Sequence, residues 1–172
     1  TRLNLDLDLK LTGTERIHAF IRPLDKSGNF SRHEFAGDDR SGGTNLELDG
    51  NIDTLFFEGD IGAIYSGFID EHATFDLPVA FGLTPFIFQN GVWVEDAFSG
   101  GAITLAAKTS PALNISNMDF TFFAGFDKVT TPAARDSLGG LNDDNDLNVF
   151  GVASFFDANE GYFEAGYGRV EG

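Results

Sequence analysis

Residues 3–12 read LNLDLDLKLT, and this stretch decides the fold. Leucine occupies every odd position from Leu3 to Leu11, and every even position is polar. Successive side chains of a β-strand point to opposite faces, whereas a helix would scatter these leucines around its whole surface. The stretch therefore predicts a strand with one apolar and one polar face. Its length, roughly ten residues, suits a tilted strand that crosses a bilayer.

Similar alternation recurs along the chain. A second strand is predicted over 15–23, after a reversal at Gly13 and Thr14, and a third over about 44–58. Further strands are predicted at 78–88, 102–108, 117–127, 147–156 and 162–170. The stretch 59–77 lacks clean alternation and is compatible with a turn, a short helix or an inward-folded plug. About eight strands in succession predict an all-β, antiparallel, up-and-down fold.

The connections between these strands sort by length. By parity, one end of the strands carries the long connections 24–43, 89–101 and 128–146. The other end carries 13–14, 109–116 and 157–161. Transmembrane β-barrels alternate short periplasmic turns with longer extracellular loops in this way. The sorting predicts an antiparallel up-and-down transmembrane β-barrel.

The same parity starts and ends the chain on the side of the long loops. Complete outer-membrane barrels begin and end on the periplasmic side, and no signal-peptide pattern opens this sequence. We therefore expect residues 1–172 to be a single barrel segment, an interior fragment of a longer barrel.

The composition excludes several classes of protein. The formal charge of the 172 residues is −16, so the chain offers no basic surface for a nucleic acid. Nineteen phenylalanines and a hydrophobic content of 42% argue against disorder. Cysteine is absent, which excludes disulfides, thiolate metal sites and a cysteine nucleophile. The apolar runs are too short for a transmembrane helix.

A soluble all-β domain, such as a sandwich or jelly roll that binds a ligand, is the alternative, because its strands also alternate. Three features favour the membrane barrel. Charges occur in the middle of strands, the alternation is longer than in ordinary soluble strands, and aromatic residues cluster near strand ends. The alternative stays open at this stage.

Three stretches carry a family resemblance: LTGTERIHAFIRPLD at 11–25, LPVAFGLTPFIFQNGVWVEDAF at 77–98 and NMDFTFFAGFDKV at 117–129. They resemble porin-like outer-membrane β-barrel proteins of Gram-negative bacteria, and are similar in style to alginate-export-type barrels. The resemblance implies a location in the bacterial outer membrane, contact with the lipid bilayer, and passive or selective passage of small solutes. It is also compatible with a homo-oligomer.

Charged residues on the polar faces of the first three strands are the candidate lumen and selectivity residues. They are Asp6, Asp8, Lys10, Arg16, Arg22, Glu47, Asp49 and Asp53. Opposite charges on adjacent strands are within reach of each other. Such a pattern could screen solutes by charge, as charged rings do in pores. The alternative is an ion-pair ladder that only stiffens the wall.

Other chemistry is poorly supported. Asp143, Asp144 and Asp146 in the acidic loop offer the oxygen ligands that calcium prefers, but the EF-hand pattern is absent and a solvated loop is the alternative. No other cofactor is expected. Catalytic patterns such as G-x-S-x-G, H-E-x-x-H and the P-loop are missing, so we expect no enzyme activity.

Overall fold

The computed structural model describes residues 1–33, 43–88, 94–126, 129, 131, 135, 139–140 and 147–171. Eight strands form one antiparallel sheet, ordered β1-β2-β7-β8-β9-β10-β11-β12. They are β1 (Leu5–Lys10), β2 (Arg16–Ile21), β7 (Ile52–Asp60), β8 (Pro78–Phe88), β9 (Val94–Ser110), β10 (Ile115–Phe126), β11 (Asn148–Ala158) and β12 (Gly161–Glu171). The all-β, antiparallel, up-and-down arrangement expected from the sequence is confirmed.

Shorter elements lie in the connections. Between β2 and β7, two small hairpins are formed by β3 (Asp25–Lys26) with β4 (Asn29–Phe30), and by β5 (Arg32–His33) with β6 (Thr44–Asn45). Helix α1 (Ile61–Ile69) follows β7, and a 3₁₀ turn (Pro111–Leu113) joins β9 to β10.

The two ends of the sheet differ. The chain passes from β2 to β7, from β8 to β9 and from β10 to β11 at one end, which we call the loop end. The opposite end, the turn end, carries the connections 11–15, 61–77, 111–114 and 159–160. The segment 59–77, which the sequence left open, completes β7 and forms α1 at the turn end.

The prediction of a connection over 89–101 is wrong for residues 94–101, which belong to β9. Glycines caused the error, because Gly100 and Gly101 look like loop residues but lie inside the sheet. A Cβ atom on Gly100 would fall 2.1 Å from the carbonyl oxygen of Ala124, and one on Gly101 would fall 2.9 Å from that of Ala80. Neighbouring backbones approach too closely here for any larger residue.

The predicted third strand, 44–58, is also corrected. Only Thr44 and Asn45 are paired near its start, in a small hairpin, and the sheet strand begins at Ile52. Along β2, Phe20 pairs with Thr54 but Ile21 pairs with Ile52. Asp53 is therefore an extra residue on β7, as in a β-bulge, and it interrupts the alternation that the sequence pattern assumed.

Asp60 explains why a helix begins directly after β7. Its Oδ1 accepts a hydrogen bond from the backbone N–H of Ala63 at 2.7 Å, which caps the helix. Its Oδ2 accepts from the N–H of Leu77 at 2.7 Å, which ties the return of the chain to the helix start. Gly62 is required because a Cβ atom there would fall 2.0 Å from the carbonyl oxygen of Phe75. The helix ends at Asp70, which has a left-handed conformation.

One face of the sheet, which we call the apolar face, carries Leu5, Leu7, Leu9 and the residues in register with them. Directly opposite residues of an antiparallel pair share a face, so the printed register extends this face across all eight strands. Its exposed large side chains are Leu5, Leu7, Leu9, Leu55, Phe81, Ile87, Leu105, Phe122, Phe126, Phe150, Phe163 and Tyr167.

The opposite face, which we call the charged face, also holds the buried core. Phe86, Phe98 and Phe123 pack there near the loop end, with Phe86 and Phe98 stacked at 4.6 Å and 3°. The other buried members are Val94, Val129, Leu147 and Val149. Strands β1 and β12 end the sheet on its two sides and do not pair with each other, so the described sheet is open.

Candidate functional site

Strands β1, β2 and β7 bring charged side chains into two rows on the charged face. Asp8 lies opposite His18, which lies opposite Phe56. Lys10 lies opposite Arg16, which in turn lies opposite Glu58. These rows follow from strand alternation and from the short turn at 11–15, which fixes the register of β1 against β2.

Arg16 and Asp8 form an ion pair across the two rows. The Nη1 atom of Arg16 donates to Oδ2 of Asp8 at 3.1 Å. Both side chains are about two-fifths exposed, at 39% and 43%. At such exposure solvent screens the attraction, so the pair contributes little to stability. Its larger consequence is the fixed position of a positive charge beside Lys10.

His18 and Glu58 meet in the same region, and the sequence analysis had not selected either residue. The Nε2 atom of His18 lies 3.1 Å from Oε1 of Glu58, outside hydrogen-bond geometry. The imidazole stacks on Phe56, with ring centres 4.9 Å apart. The alternation could have indicated His18, since it lies two residues from Arg16. Glu58 is two residues from Phe56, but the bulge at Asp53 hid its face.

A second ion pair lies at the loop end. Arg22 donates to Oδ1 of Asp53 from Nη2 at 2.6 Å and from Nε at 3.2 Å. The hydrogen bond and negative charge of Asp53 raise the pKa of Arg22 above its ordinary value. The bulge brings Asp53 to Arg22, so this predicted cross-strand contact is present.

Glu47 and Asp49 lie outside the sheet, which corrects the predicted third-strand ladder. The N–H of Glu47 donates to Oγ of Ser31 at 2.9 Å, and that hydroxyl donates to the Glu47 carbonyl oxygen. The N–H of Asp49 donates to the carbonyl oxygen of Pro23 at 3.1 Å. These local bonds replace the β pairing that alternation suggested, and place both carboxylates on the connection at the loop end.

The remaining predicted positions are Asp6 and Lys10. Asp6 lies opposite Phe20 on the charged face and is exposed, as is Lys10. The structure thus places Asp6, Asp8, Lys10 and Arg16 on one surface, and Arg22 with Asp53 at its loop end. Whether any of these residues contacts a solute stays a prediction.

The far side of the charged face is also polar. The hydroxyls of Thr104 on β9 and Thr121 on β10 are hydrogen-bonded at 3.0 Å. Together with Asp119 and Glu164 they border a shallow depression of about 300 Å³. Asp119 also accepts the N–H of Ala107 at 2.7 Å, which satisfies the backbone where β9 and β10 lose regular register.

The charged face is net negative within the described strands. Register places these carboxylates on it: Asp6, Asp8, Glu58, Asp119, Asp157 and Glu164. Lys10 and Arg16 are the basic residues placed on it by the same pairings. A surface of this kind attracts small cations and repels small anions.

The calcium prediction cannot be placed on the structure, since Asp143, Asp144 and Asp146 lie outside the described residues. In the described part of the chain, no group of three or more histidine, cysteine, aspartate or glutamate residues is arranged to hold a metal ion.

No protein-family model matches this chain, and neither a curated protein nor a solved structure matches it. Among the described helices, none is long and apolar enough to cross a membrane.

Proposed function

We propose that this chain forms part of the wall of a porin-like channel in the outer membrane of a Gram-negative bacterium. Small solutes, preferentially cations, would pass along the charged face while the apolar face contacts lipid. One observation carries the proposal: large apolar side chains stay exposed across the eight-stranded sheet, on the face opposite the ion pairs. Soluble proteins rarely expose so large an apolar surface.

The dimensions of the strands support this proposal. Strands β8, β11 and β12 each have 11 residues. At about 3.3 Å per residue and a tilt near 45°, such a strand rises about 25 Å, which is the height of the apolar band of an outer-membrane barrel.

The sheet edges support a barrel rather than a flat sheet. A bilayer offers no hydrogen bonds to the free backbone groups of an edge strand, so membrane sheets close. With eight strands, β1 and β12 run in opposite directions. Their edges can pair antiparallel with each other, or with further strands of a longer barrel, of which residues 1–172 would be an interior segment.

The cation preference follows from the charged face. Its carboxylates outnumber its basic groups, and the Arg16–Asp8 pair neutralises one of the positive charges. Rings of carboxylates favour cations in aqueous pores. Catalysis is no part of this proposal, and Asp143, Asp144 and Asp146 remain the candidate ligands should calcium bind at an outer loop.

Planar bilayers test the proposal. The refolded protein in a KCl gradient should give conductance steps with a reversal potential of the sign expected for cations. Replacing Asp8 and Glu58 together by Asn and Gln should move that potential toward zero, because two carboxylates leave the charged face. Asp70→Asn, beyond the end of α1, is the matched control and should leave it unchanged. Absence of conductance in protein that has inserted into the bilayer would rule out a channel.

A soluble all-β binding domain is the second candidate. The buried cluster of Phe86, Phe98 and Phe123 favours it, because this core packs on the sheet without lipid. The open edges of the described sheet point the same way. A monomer that stays in solution without detergent, and that does not float with lipid vesicles, would select this second candidate.

A further inference from the structure

A groove at the turn end separates α1 from the β1–β2 turn. Its apolar walls are Leu11, Phe57, Ile64 and Phe68, and Thr14 and Glu15 line it on the polar side. The cavity measures about 560 Å³. Phe57 lies opposite Ile17 and so belongs to the apolar face, and Leu11 continues the leucine row of β1. The groove is therefore continuous with the apolar face.

Phe68 shows that one wall of this groove lacks a partner within the described chain. Its side chain is 84% exposed, and Tyr65 and Ile69 on the same helix are 49% and 40% exposed. A short helix that presents aromatic and aliphatic side chains at the rim of an apolar surface is suited to the boundary between lipid chains and head groups.

Glu15 gives the groove a chemical preference. The residue is only 8% exposed, yet none of the ion pairs among the described residues involves it. Its carboxylate accepts a hydrogen bond from the hydroxyl of Thr14. A nearly buried carboxylate without a cationic partner favours a ligand that brings a positive charge.

We propose that this groove binds one phospholipid with an amine head group, whose acyl chain lies between Phe57 and Phe68 and whose ammonium group approaches Glu15. Anionic phospholipids are disfavoured, because Glu15 and the nearby Asp70 and Glu71 are acidic. The inference deepens the membrane proposal above and rests on it for the physiological source of the lipid.

Gly67 provides a sharp test. It lines the groove, and a Cβ atom there meets nothing within 4 Å, so a larger side chain fits without a clash. Gly67→Leu fills the groove and also favours the helix. Gly50→Leu is the matched control, because Gly50 is equally open but lies in the connection at the loop end.

Native mass spectrometry with lysophosphatidylethanolamine and lysophosphatidylglycerol, in equal amounts, gives the readout. We expect a single lysophosphatidylethanolamine adduct in the original protein and the Gly50→Leu variant, and a bound fraction lowered about tenfold in Gly67→Leu. Glu15→Gln should keep an adduct but lose the preference between the two lipids. An unchanged adduct in Gly67→Leu, or no adduct in the original protein, would overturn the groove assignment. Equal binding of both lipids by the original protein would overturn the head-group assignment.

Failure of this inference can be separated from failure of the membrane proposal. Both lysolipids can be supplied below their critical micelle concentration, so adduct formation needs no bilayer. Vesicle flotation measures membrane insertion independently. A Gly67→Leu protein that floats like the original but has lost its adduct supports both proposals. A protein that floats and binds no lysolipid contradicts only the groove.

Discussion

The ring of Phe98 lies against Gly125 on the neighbouring strand, and a Cβ atom at residue 125 would fall 2.1 Å from its Cε2 atom. Phe98 is only 2% exposed and is stacked on Phe86. Phe123 has the same relationship with Gly151, where a Cβ atom would fall 2.4 Å from its Cζ atom. Glycines on β10 and β11 thus make the space in which the buried aromatic rings lie flat on the sheet.

Replacing Gly125 by Ala should lower the free energy of unfolding by about 2 kcal/mol, because an overpacked core forces rings or backbone out of their preferred positions. The urea midpoint of the refolded protein measures the change. Gly50→Ala is the control, since a Cβ atom at Gly50 meets no other atom within 4 Å. Equal midpoints for the two variants would show that the Phe98 ring moves freely.

Replacing Asp60 by Ala should destabilise the turn end by about 1–2 kcal/mol, because the cap of α1 and the anchor of Leu77 are lost together. Hydrogen exchange at the amides of Ala63 and Leu77 should accelerate, while exchange in β11 should change less. Asp76→Ala removes a carboxylate from the same connection and should leave both amides protected. Unchanged protection in Asp60→Ala would contradict the capping role.

Replacing Leu7 by Arg should impair insertion into lipid vesicles. Leu7 is half-exposed on the apolar face, and a cation on the lipid-facing side of a barrel costs about 2–4 kcal/mol near the bilayer midplane. The folded fraction can be measured from the heat-modifiable gel band. The adjacent variant Asp6→Arg places the same side chain on the charged face and should insert like the original protein. Similar losses in both variants would argue against a lipid-facing leucine row.

A double-mutant cycle on Asp8 and Arg16 should give a coupling free energy of about 0.5 kcal/mol, because both side chains are well exposed to solvent. Asp8→Asn, Arg16→Gln and the double variant are compared by urea unfolding. The coupling should fall as salt is raised, because mobile ions screen exposed charges. A coupling well above 1 kcal/mol would show that the pair is shielded from solvent.

The sequence predicted most of the strand order because alternation is a local property. The leucine row from Leu3 to Leu11 defines its two faces without any tertiary information, and each short turn then forces the next strand to run antiparallel. The sequence prediction failed where neighbouring strands decide the local conformation. Gly100 and Gly101 form part of β9 because adjacent backbones approach them, and no local pattern reveals that contact.

The candidate site divides in the same way. The sequence by itself determined that Asp6, Asp8, Lys10 and Arg16 lie on one face, because strand periodicity and a tight turn fix their side. Only the tertiary structure removed Glu47 and Asp49 from that face and brought His18 to Glu58. The reason is physical: a single bulge at Asp53 shifts the alternation of β7, and bulges arise from pairing between strands that are distant in sequence.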